Sequence, residues 1–420
     1  MKKIISNEEA VDRLLDCFTR TTDDVFTLEE LKTRLLSGKR LRMKYGVDVT
    51  ASDLHIGHAV NLWMYRKLQE MGHKIIFLIG DFTTQIGDPT GKNKLRPIIS
   101  KEDIQRNSDE FLRQAKMVLL NDPEVLEIRR NSEWLEPLKA RELLSLLSGV
   151  THDFLVSRDM FRKRIKEGKE IYEHELVYPV LQGFDSVQLE SDLTIIGSDQ
   201  LFNEMMGRSL QVKFGQRPQV ILTTKITPGI DGRAKQSKSL GNYIGLAHTP
   251  REKFGRVMSM PDNLIHQYFE VYTDVSLTEI QSIEKVYVDD PMKYKLMLAR
   301  EIVKRYHGEI VANKEYVWFK KTFSQRQIPE DIPEVIVMGK SLTGFELLRL
   351  CLPKDQCSNS EIRRLIEQGA MTIEGRTVDI DDKVDLTKTN ILVKVGKRKW
   401  FKVNSHRAKA GERGWTAETN

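Results

Sequence analysis

Apolar and charged positions alternate at helical spacing from residue 7 to about 37, which predicts a helical, amphipathic N-terminal segment over residues 1–40. Leu41 to Val47 then reads as a strand, and the stretch after Asp48 as a loop. Gly57 to Met71 predicts a helix with Val60, Met64 and Leu68 on one face and Gly72 as its stop. Ile75-Ile76-Phe77-Leu78-Ile79 is a continuous apolar run of strand length. This strand–helix–strand order predicts parallel strands in a doubly wound sheet. A second unit of the same kind starts with the strand Leu193 to Ile196, runs through Gly197-Ser198-Asp199-Gln200, and enters a helix near Leu201.

Between these units, residues 101–180 read as mostly helical and charged, an insertion within an α/β nucleotide-binding domain spanning 41–245. Helical spacing resumes over 246–327. Residues 328–340 carry Pro329 and Pro333 and predict a linker. The final segment, 341–405, changes character. Ser358 with Glu361 three residues on is a capping box that opens a short helix closed by Gly369. Met371–Ile373, a turn at Glu374-Gly375, and a hairpin of Ile391–Val395 with Lys399–Val403 complete a small α+β module. A basic tail, 406–420, follows.

Composition adds little to this division. A chain of 420 residues exceeds one average domain, and 40% hydrophobic with 30% charged residues describes a globular protein. The net charge of +6 permits a nucleic-acid partner without requiring one. Cys17, Cys351 and Cys357 lack the spacing of a cysteine zinc site, and no metal centre is predicted. No run is long enough to cross a membrane and no signal peptide is read at the start, so a cytoplasmic location is expected.

The candidate chemistry lies where loops enter helices. His55 and His58 stand at the entrance to the first predicted helix, where free N–H groups and the helix dipole favour phosphate. Gly57 keeps the backbone approachable there. A metal pair or two surface histidines would leave the same pattern. Lys235, Ser237, Lys238 and Ser239, between Gly232 and Gly241, suit a mobile loop closing on phosphates; a solvated basic loop is the plainer alternative. Lys92 and Arg96 follow a glycine-rich turn, and Asp88 beside them could hold an ammonium group or merely form the turn. Tyr178, Gln182 and Asp185 share one helix face, fit either for a polar pocket or for solvent. Arg363, Arg364, Lys394, Lys397, Arg398, Lys399 and Lys402, with Trp400 and Phe401 interleaved, suit RNA, or else an exposed basic edge.

Taken in order, these motifs resemble class I aminoacyl-tRNA synthetases. His55-Ile56-Gly57-His58 and Lys235-Gln236-Ser237-Lys238-Ser239 are similar to that family's two signatures. The segments from Lys44 to Ala51, Ile86 to Lys92, Tyr178 to Asp185 and Gly197 to Gln200 look like the bacterial tyrosyl-tRNA synthetase family, and 358–403 looks like an S4 RNA-binding domain. The resemblance implies that Thr50, His55 and His58 contact ATP phosphates, and that Lys92, Arg96, Lys235 and Lys238 close on the departing pyrophosphate. It places Asp48, Gly57, Gly197, Asp199, Gln200 and Lys238 at the ATP and adenylate site. Lys44, Thr83, Asp88, Tyr178, Gln182 and Asp185 fall at the tyrosine site, with Asp185 accepting from the phenol. RNA contacts fall to Arg363, Arg364, Lys397, Arg398 and Lys399. The implied partners are L-tyrosine, ATP accompanied by Mg²⁺, tRNA(Tyr) and a second copy of the chain, with the insertion at the dimer interface and the 246–327 helices touching tRNA.

The chain departs from the pattern in places. Lys44 stands where the best-known branch has a tyrosine that binds the substrate hydroxyl; a second bacterial branch tends to have lysine there. Val49, Gln236 and Leu201 replace a proline, a methionine and a tryptophan, and none removes a charge-bearing group. Two other functions fit: a paralogous ligase for another aromatic amino acid or pathway, and a non-catalytic RNA-binding protein on a synthetase scaffold.

Overall fold

The computed structural model describes residues 3–50, 53–87, 99–238, 240–324, 332–339, 341–353, 357–387, 391–396 and 399–406. The chain divides into two compact units, 1–316 and 317–420.

The first unit is built on β1 (Thr22–Phe26), β2 (Arg42–Val47), β3 (Lys74–Ile79), β4 (Leu126–Arg130), β5 (Leu193–Gly197) and β6 (Val220–Thr224). They form one sheet in the order β1-β6-β5-β2-β3-β4. All neighbours are parallel except β1, which runs antiparallel to β6. Ile75, Ile76, Phe77 and Ile79 of β3 are fully buried, as a strand covered on both faces requires. One of these faces meets a core of Leu176, Val180, Leu181 and Phe184 from the helix Glu173–Gln188, with Trp134, Leu146 and Phe161 from the segment before it.

The chain order reverses between β2 and β5, the place where a doubly wound sheet opens a crevice beyond its strand ends. The reason is visible in the ladder. β2 and β5 pair only at Met43–Leu193 and Lys44–Thr194. Beyond that pair the Tyr65 hydroxyl stands between the strands, donating to the Lys44 carbonyl at 2.5 Å and accepting from the Ile195 N–H at 2.7 Å. A side chain thus takes over a backbone ladder position, and the two strands part above it.

Three sequence expectations need correction. Thr22–Phe26, expected to be helical, is the edge strand β1; its charged residues suit an edge. Leu126–Arg130, inside the expected helical insertion, is β4, which extends the sheet beside β3. Its sequence, Leu-Glu-Ile-Arg-Arg, carries the charges of an exposed edge and hides a strand among helices. The helices over 250–316 are not a separate body; they pack within the first unit. Arg20 donates to the Glu270 carbonyl at 2.6 Å, the Tyr268 hydroxyl to the Pro228 carbonyl at 2.7 Å, and Lys225 pairs with Glu270 at 3.0 Å.

In the second unit, β7 (Glu334–Met338), β9 (Met371–Ile373), β10 (Arg376–Thr377), β12 (Ile391–Val395) and β13 (Lys399–His406) form a sheet ordered β10-β9-β12-β13-β7. β8 (Ser341–Thr343) pairs separately with β11 (Lys383–Asp385). Here the expected linker 328–340 is corrected: 334–338 is a strand parallel to β13. Pro333 precedes it, a position where a strand tolerates proline, and its carbonyl accepts from Lys402 N–H at 2.9 Å. The capping box holds. Ser358 N–H donates to Glu361 Oε2 at 2.8 Å and the Glu361 N–H to Ser358 Oγ at 3.3 Å, opening the helix Asn359–Glu367. Glu374 and Gly375 both have positive φ, 49° and 86°, as a two-residue hairpin turn between β9 and β10 demands. Leu347, Leu348, Ile362, Met371, Val393 and Val403 fill the core of this unit.

Candidate active site

A cavity of about 520 Å³ opens at the parted ends of β2 and β5, of a size that suits a small-molecule site. Among the described residues it gathers Lys44, Asp48, Thr50, His55, Gly57, His58, Thr83, Tyr178, Gln182, Asp185, Gly197, Asp199, Gln200, Lys235 and Lys238. These residues span nearly 200 positions of chain and come from separate motifs. Asp88, Lys92, Arg96 and Ser239 lie outside the described residues.

At the outer end, His55 is the N-cap of the helix Ile56–Glu70, and its N–H donates to His58 Nδ1 at 3.3 Å. The two rings stack with centroids 3.8 Å apart. A side chain at Gly57 would bring its Cβ to 2.9 Å from His55 Nδ1, so the glycine makes room for that ring. Desolvation holds the His55 imidazole well below its usual range, and His58 and Lys235 add to this. Desolvation and Lys235 likewise push His58 down to about 4, against the pull of Asp199. His58 is itself exposed at the mouth of the cleft, where water moderates this shift without reversing its direction. Both rings are therefore neutral near pH 7 and can donate to phosphate oxygens without carrying a charge.

The lysine loop is bound to this helix start. The Ile56 N–H donates to the Ile244 carbonyl at 2.9 Å and the Leu246 N–H to the Leu54 carbonyl at 2.8 Å. Gln236 anchors the loop, donating to the Tyr272 hydroxyl at 2.8 Å and accepting from the Ile244 N–H at 3.2 Å. It stands where the resemblance expects methionine, and its amide does structural work there. Asn242 Oδ1 accepts from the Ser237 N–H at 2.8 Å. Each lysine rests on a carboxylate: Lys235 on Asp199 at 3.1 Å and Lys238 on Asp53 at 2.6 Å. Both ammonium groups remain about half exposed, so these pairs are weak and exchangeable.

At the inner end, the Tyr178 hydroxyl donates to Asp48 Oδ2 at 2.9 Å and Thr83 Oγ1 to Asp48 Oδ1 at 2.8 Å. Asp48, expected at the ATP and adenylate site, thus hydrogen-bonds two residues expected at the tyrosine site. Asp185 is buried at the floor. It accepts from Trp134 Nε1 at 2.9 Å and Asn131 Nδ2 at 3.4 Å. Burial pushes its carboxyl up to about 7, against the pull of Lys44 and those two donors, with Glu204 pushing further upward.

Lys44 does not stand as an open donor to a ligand. Its Nζ lies 2.9 and 2.8 Å from the two oxygens of Glu204 and donates to Ser186 Oγ at 2.8 Å, and both charged residues are 2% exposed. Glu204 also accepts from Gln182 Nε2 at 2.9 Å and Gln219 Nε2 at 2.8 Å. Glu204, Trp134, Asn131 and Tyr65 were missed in the sequence. Only Glu204 left a signal: a lysine on a central strand needs a buried carboxylate.

In the second unit, Arg363 lies over the Phe345 ring at 5.0 Å and Lys394 over Trp400 at 5.2 Å. Lys394, Trp400 and Lys402 fall on the outer face of the β12–β13 hairpin by register, and Lys399 is exposed at its end. Lys397 and Arg398 lie outside the described residues. Among the described residues no group of three or more His, Cys, Asp or Glu side chains is placed to hold a metal ion. No helix among them is long and apolar enough to cross a membrane.

A parallel sheet with a helix-start histidine pair and a lysine loop around one cavity defines a nucleotide-dependent ligase of the synthetase kind. Residues 36–324 match the class I tRNA synthetases (W and Y), and the chain belongs to that family. Within it, the chain is similar to tyrosine–tRNA ligases. It is 42% identical over 395 residues to the one from Bordetella avium, covering 92% of this chain and 94% of that one. It is 41% identical over 386 residues to that of Aquifex aeolicus, covering 91% and 96%. Its fold is similar to that of a tyrosyl-tRNA synthetase from Archaeoglobus fulgidus solved with L-tyrosine. That likeness has a TM-score of 0.56 at 20% identity and covers 73% of this chain and 99% of that one. A C-terminally truncated mitochondrial tyrosyl-tRNA synthetase from Aspergillus nidulans gives 0.61 at 22% identity, covering 76% and 95%.

Proposed function

We propose that the chain activates L-tyrosine with ATP and transfers the tyrosyl group to the 3′ end of tRNA(Tyr). One observation carries this reading. A single cavity has a buried carboxylate, Asp185, at its floor and neutral histidines with exchangeable lysines at its mouth. The first suits a phenol and the second a triphosphate.

In the first step a tyrosine carboxylate oxygen bonds to the α-phosphorus of ATP, the bond to the bridging oxygen breaks, and pyrophosphate leaves. The chain supplies position and charge stabilisation, not a covalent nucleophile. Thr50, His55 and His58 contact the phosphates. Lys235 and Lys238 exchange Asp199 and Asp53 for the departing pyrophosphate, joined by Lys92 and Arg96. Gly57, Gly197, Asp199 and Gln200 line the adenosine and adenylate. Asp48, Thr83, Tyr178 and Gln182, with Asp88, receive the ammonium. Asp185 accepts the phenol proton's hydrogen bond. Mg²⁺ arrives with ATP as part of the substrate.

In the second step the terminal ribose hydroxyl attacks the mixed anhydride and AMP leaves. The S4-like unit binds the tRNA through Arg363, Arg364, Lys397, Arg398 and Lys399, aided by the helices of 246–327. A homodimer through the 101–180 segment and a cytoplasmic location complete the reading. Charging of tRNA(Tyr) with labelled tyrosine tests it: acid-stable but base-labile aminoacyl-tRNA supports it, and its absence with active enzyme and correct tRNA refutes it.

A further inference from the structure

The pocket floor holds a carboxylate that the proposed reaction does not use. Glu204 lies on the helix Leu201–Lys213, is 2% exposed, and receives hydrogen bonds from three directions. Lys44 approaches both of its oxygens, Gln182 Nε2 reaches Oε1 at 2.9 Å, and Gln219 Nε2 reaches Oε2 at 2.8 Å. A carboxylate paired with an ammonium offers only acceptors. The side of the Gln182 amide that faces Glu204 must therefore be its NH₂ group. Its carbonyl oxygen is turned away, where it accepts from Asn203 Nδ2 at 2.8 Å, and the Gln182 side chain is among those that line the cavity.

We infer that Glu204 is a positioning residue for amino-acid selection: it fixes the Gln182 carbonyl toward the substrate ammonium and holds Lys44 away from the phenol acceptor Asp185. The inference rests on the tyrosine-ligase reading and deepens it. An amide free to flip would present NH₂ to an ammonium, a repulsive arrangement. The second effect follows from the donors of Lys44. Its three N–H bonds face the two Glu204 oxygens and Ser186 Oγ, leaving none for a ligand. Without Glu204 the buried ammonium would turn toward Asp185, a buried carboxylate whose charge state it already influences. That would occupy the acceptor a phenol needs. Lys44 thus replaces the substrate-binding tyrosine of related pockets with a charge that has to be held off, and Glu204 does the holding.

Two variants test this by amino-acid-dependent ATP–pyrophosphate exchange. Glu204→Gln keeps the shape but turns one of the two acceptor oxygens, which serve Gln182 and Gln219, into a donor and removes the charge that holds Lys44. Its tyrosine KM is expected to rise about tenfold or more while the ATP KM stays within about twofold. Lys44→Met/Glu204→Leu removes both charges, a replacement that buried ion pairs tolerate. It is expected to melt near the parent temperature yet keep the raised tyrosine KM, because the acceptor that holds the Gln182 NH₂ group is gone and Asn203 alone remains on the amide. A parental tyrosine KM in the double variant would overturn the inference, since Glu204 would then serve only to neutralise Lys44. A parallel loss for tyrosine and ATP in both variants, unfolding included, would overturn it as well. Failure of the parent protein to exchange with tyrosine would instead overturn the ligase reading.

Discussion

The Tyr178 hydroxyl donates to Asp48 Oδ2 at 2.9 Å, joining the helix Glu173–Gln188 to the end of β2 across 130 positions of sequence. With Thr83 on the other oxygen, Asp48 sits as a carboxylate with both oxygens engaged by hydroxyl groups at the inner end of the cleft. Replacing Tyr178 by Phe removes one donor and leaves the carboxylate less oriented. The expected result is a rise of about tenfold in the tyrosine KM for pyrophosphate exchange, with ATP KM little changed. The cost in stability is about 1 kcal/mol, measurable by urea unfolding.

Lys238 pairs with Asp53 at 2.6 Å, and the proposed function requires it to leave that carboxylate for pyrophosphate. Lys238→Ala is expected to slow adenylate formation by about 100-fold while tyrosine affinity changes little. Single-turnover kinetics with separate equilibrium binding of tyrosine would show this. Equal loss in both would assign the lysine a structural role.

The histidines predict a pH effect with a definite sign. His58 titrates near 4 in the folded chain against 6.5 for a free imidazole. Between those values the unfolded chain binds the extra proton, so this contribution to stability is present above 6.5 and is lost as pH falls toward 4. Thermal unfolding of His58→Asn, compared with the parent from pH 7 to 4, is expected to show a shallower acid loss. The same variant should lose about 100-fold in the rate of adenylate formation at pH 7.5, since one neutral donor to phosphate is gone.

Asp185 titrates in the opposite direction. Burial raises its carboxyl from 3.8 to about 7, so the folded chain holds the proton more tightly than the unfolded chain between those values. Its stabilising contribution is full below 3.8 and is lost as pH rises toward 7. For function the ionised form is the better acceptor for a phenol. The kcat/KM for tyrosine is therefore expected to fall on the acid side of about pH 7, and Asp185→Asn to abolish that limb together with most tyrosine binding.

Much of the site was legible because its residues sit at element boundaries, where types are restricted. Gly57, the histidine helix start and the Gly197–Gln200 turn follow β2 and β5 and mark the crevice by position alone. Tyr178, Gln182 and Asp185 were legible as one helix face, and all three line the cavity. What stayed hidden depends on tertiary pairing. Trp134 and Asn131 reach Asp185 from a segment whose charge pattern read as helical insertion, and Tyr65 enters the sheet as an ordinary core aromatic. β1 and β4 were misread because edge strands carry charges that resemble a solvated helix face. Lys44 lines the cavity, but its partner Glu204 lies 160 positions away, and only the fold brings them to 2.8 Å.

The second unit, 317–420, carries its own core. Removing residues from 332 on, β7 included, is expected to leave tyrosine-dependent pyrophosphate exchange intact and to reduce tRNA charging by about 100-fold or more, with loss of the salt-sensitive part of tRNA binding. Unchanged charging would remove this unit from tRNA recognition.

The central claim is that the cavity activates tyrosine. Amino-acid-dependent ATP–pyrophosphate exchange with tyrosine, phenylalanine and tryptophan tests it most directly. Exchange that depends on tyrosine and is weaker by about a hundredfold or more with phenylalanine, which would leave the buried Asp185 without its donor, is the predicted result. Exchange with another amino acid and none with tyrosine would contradict it.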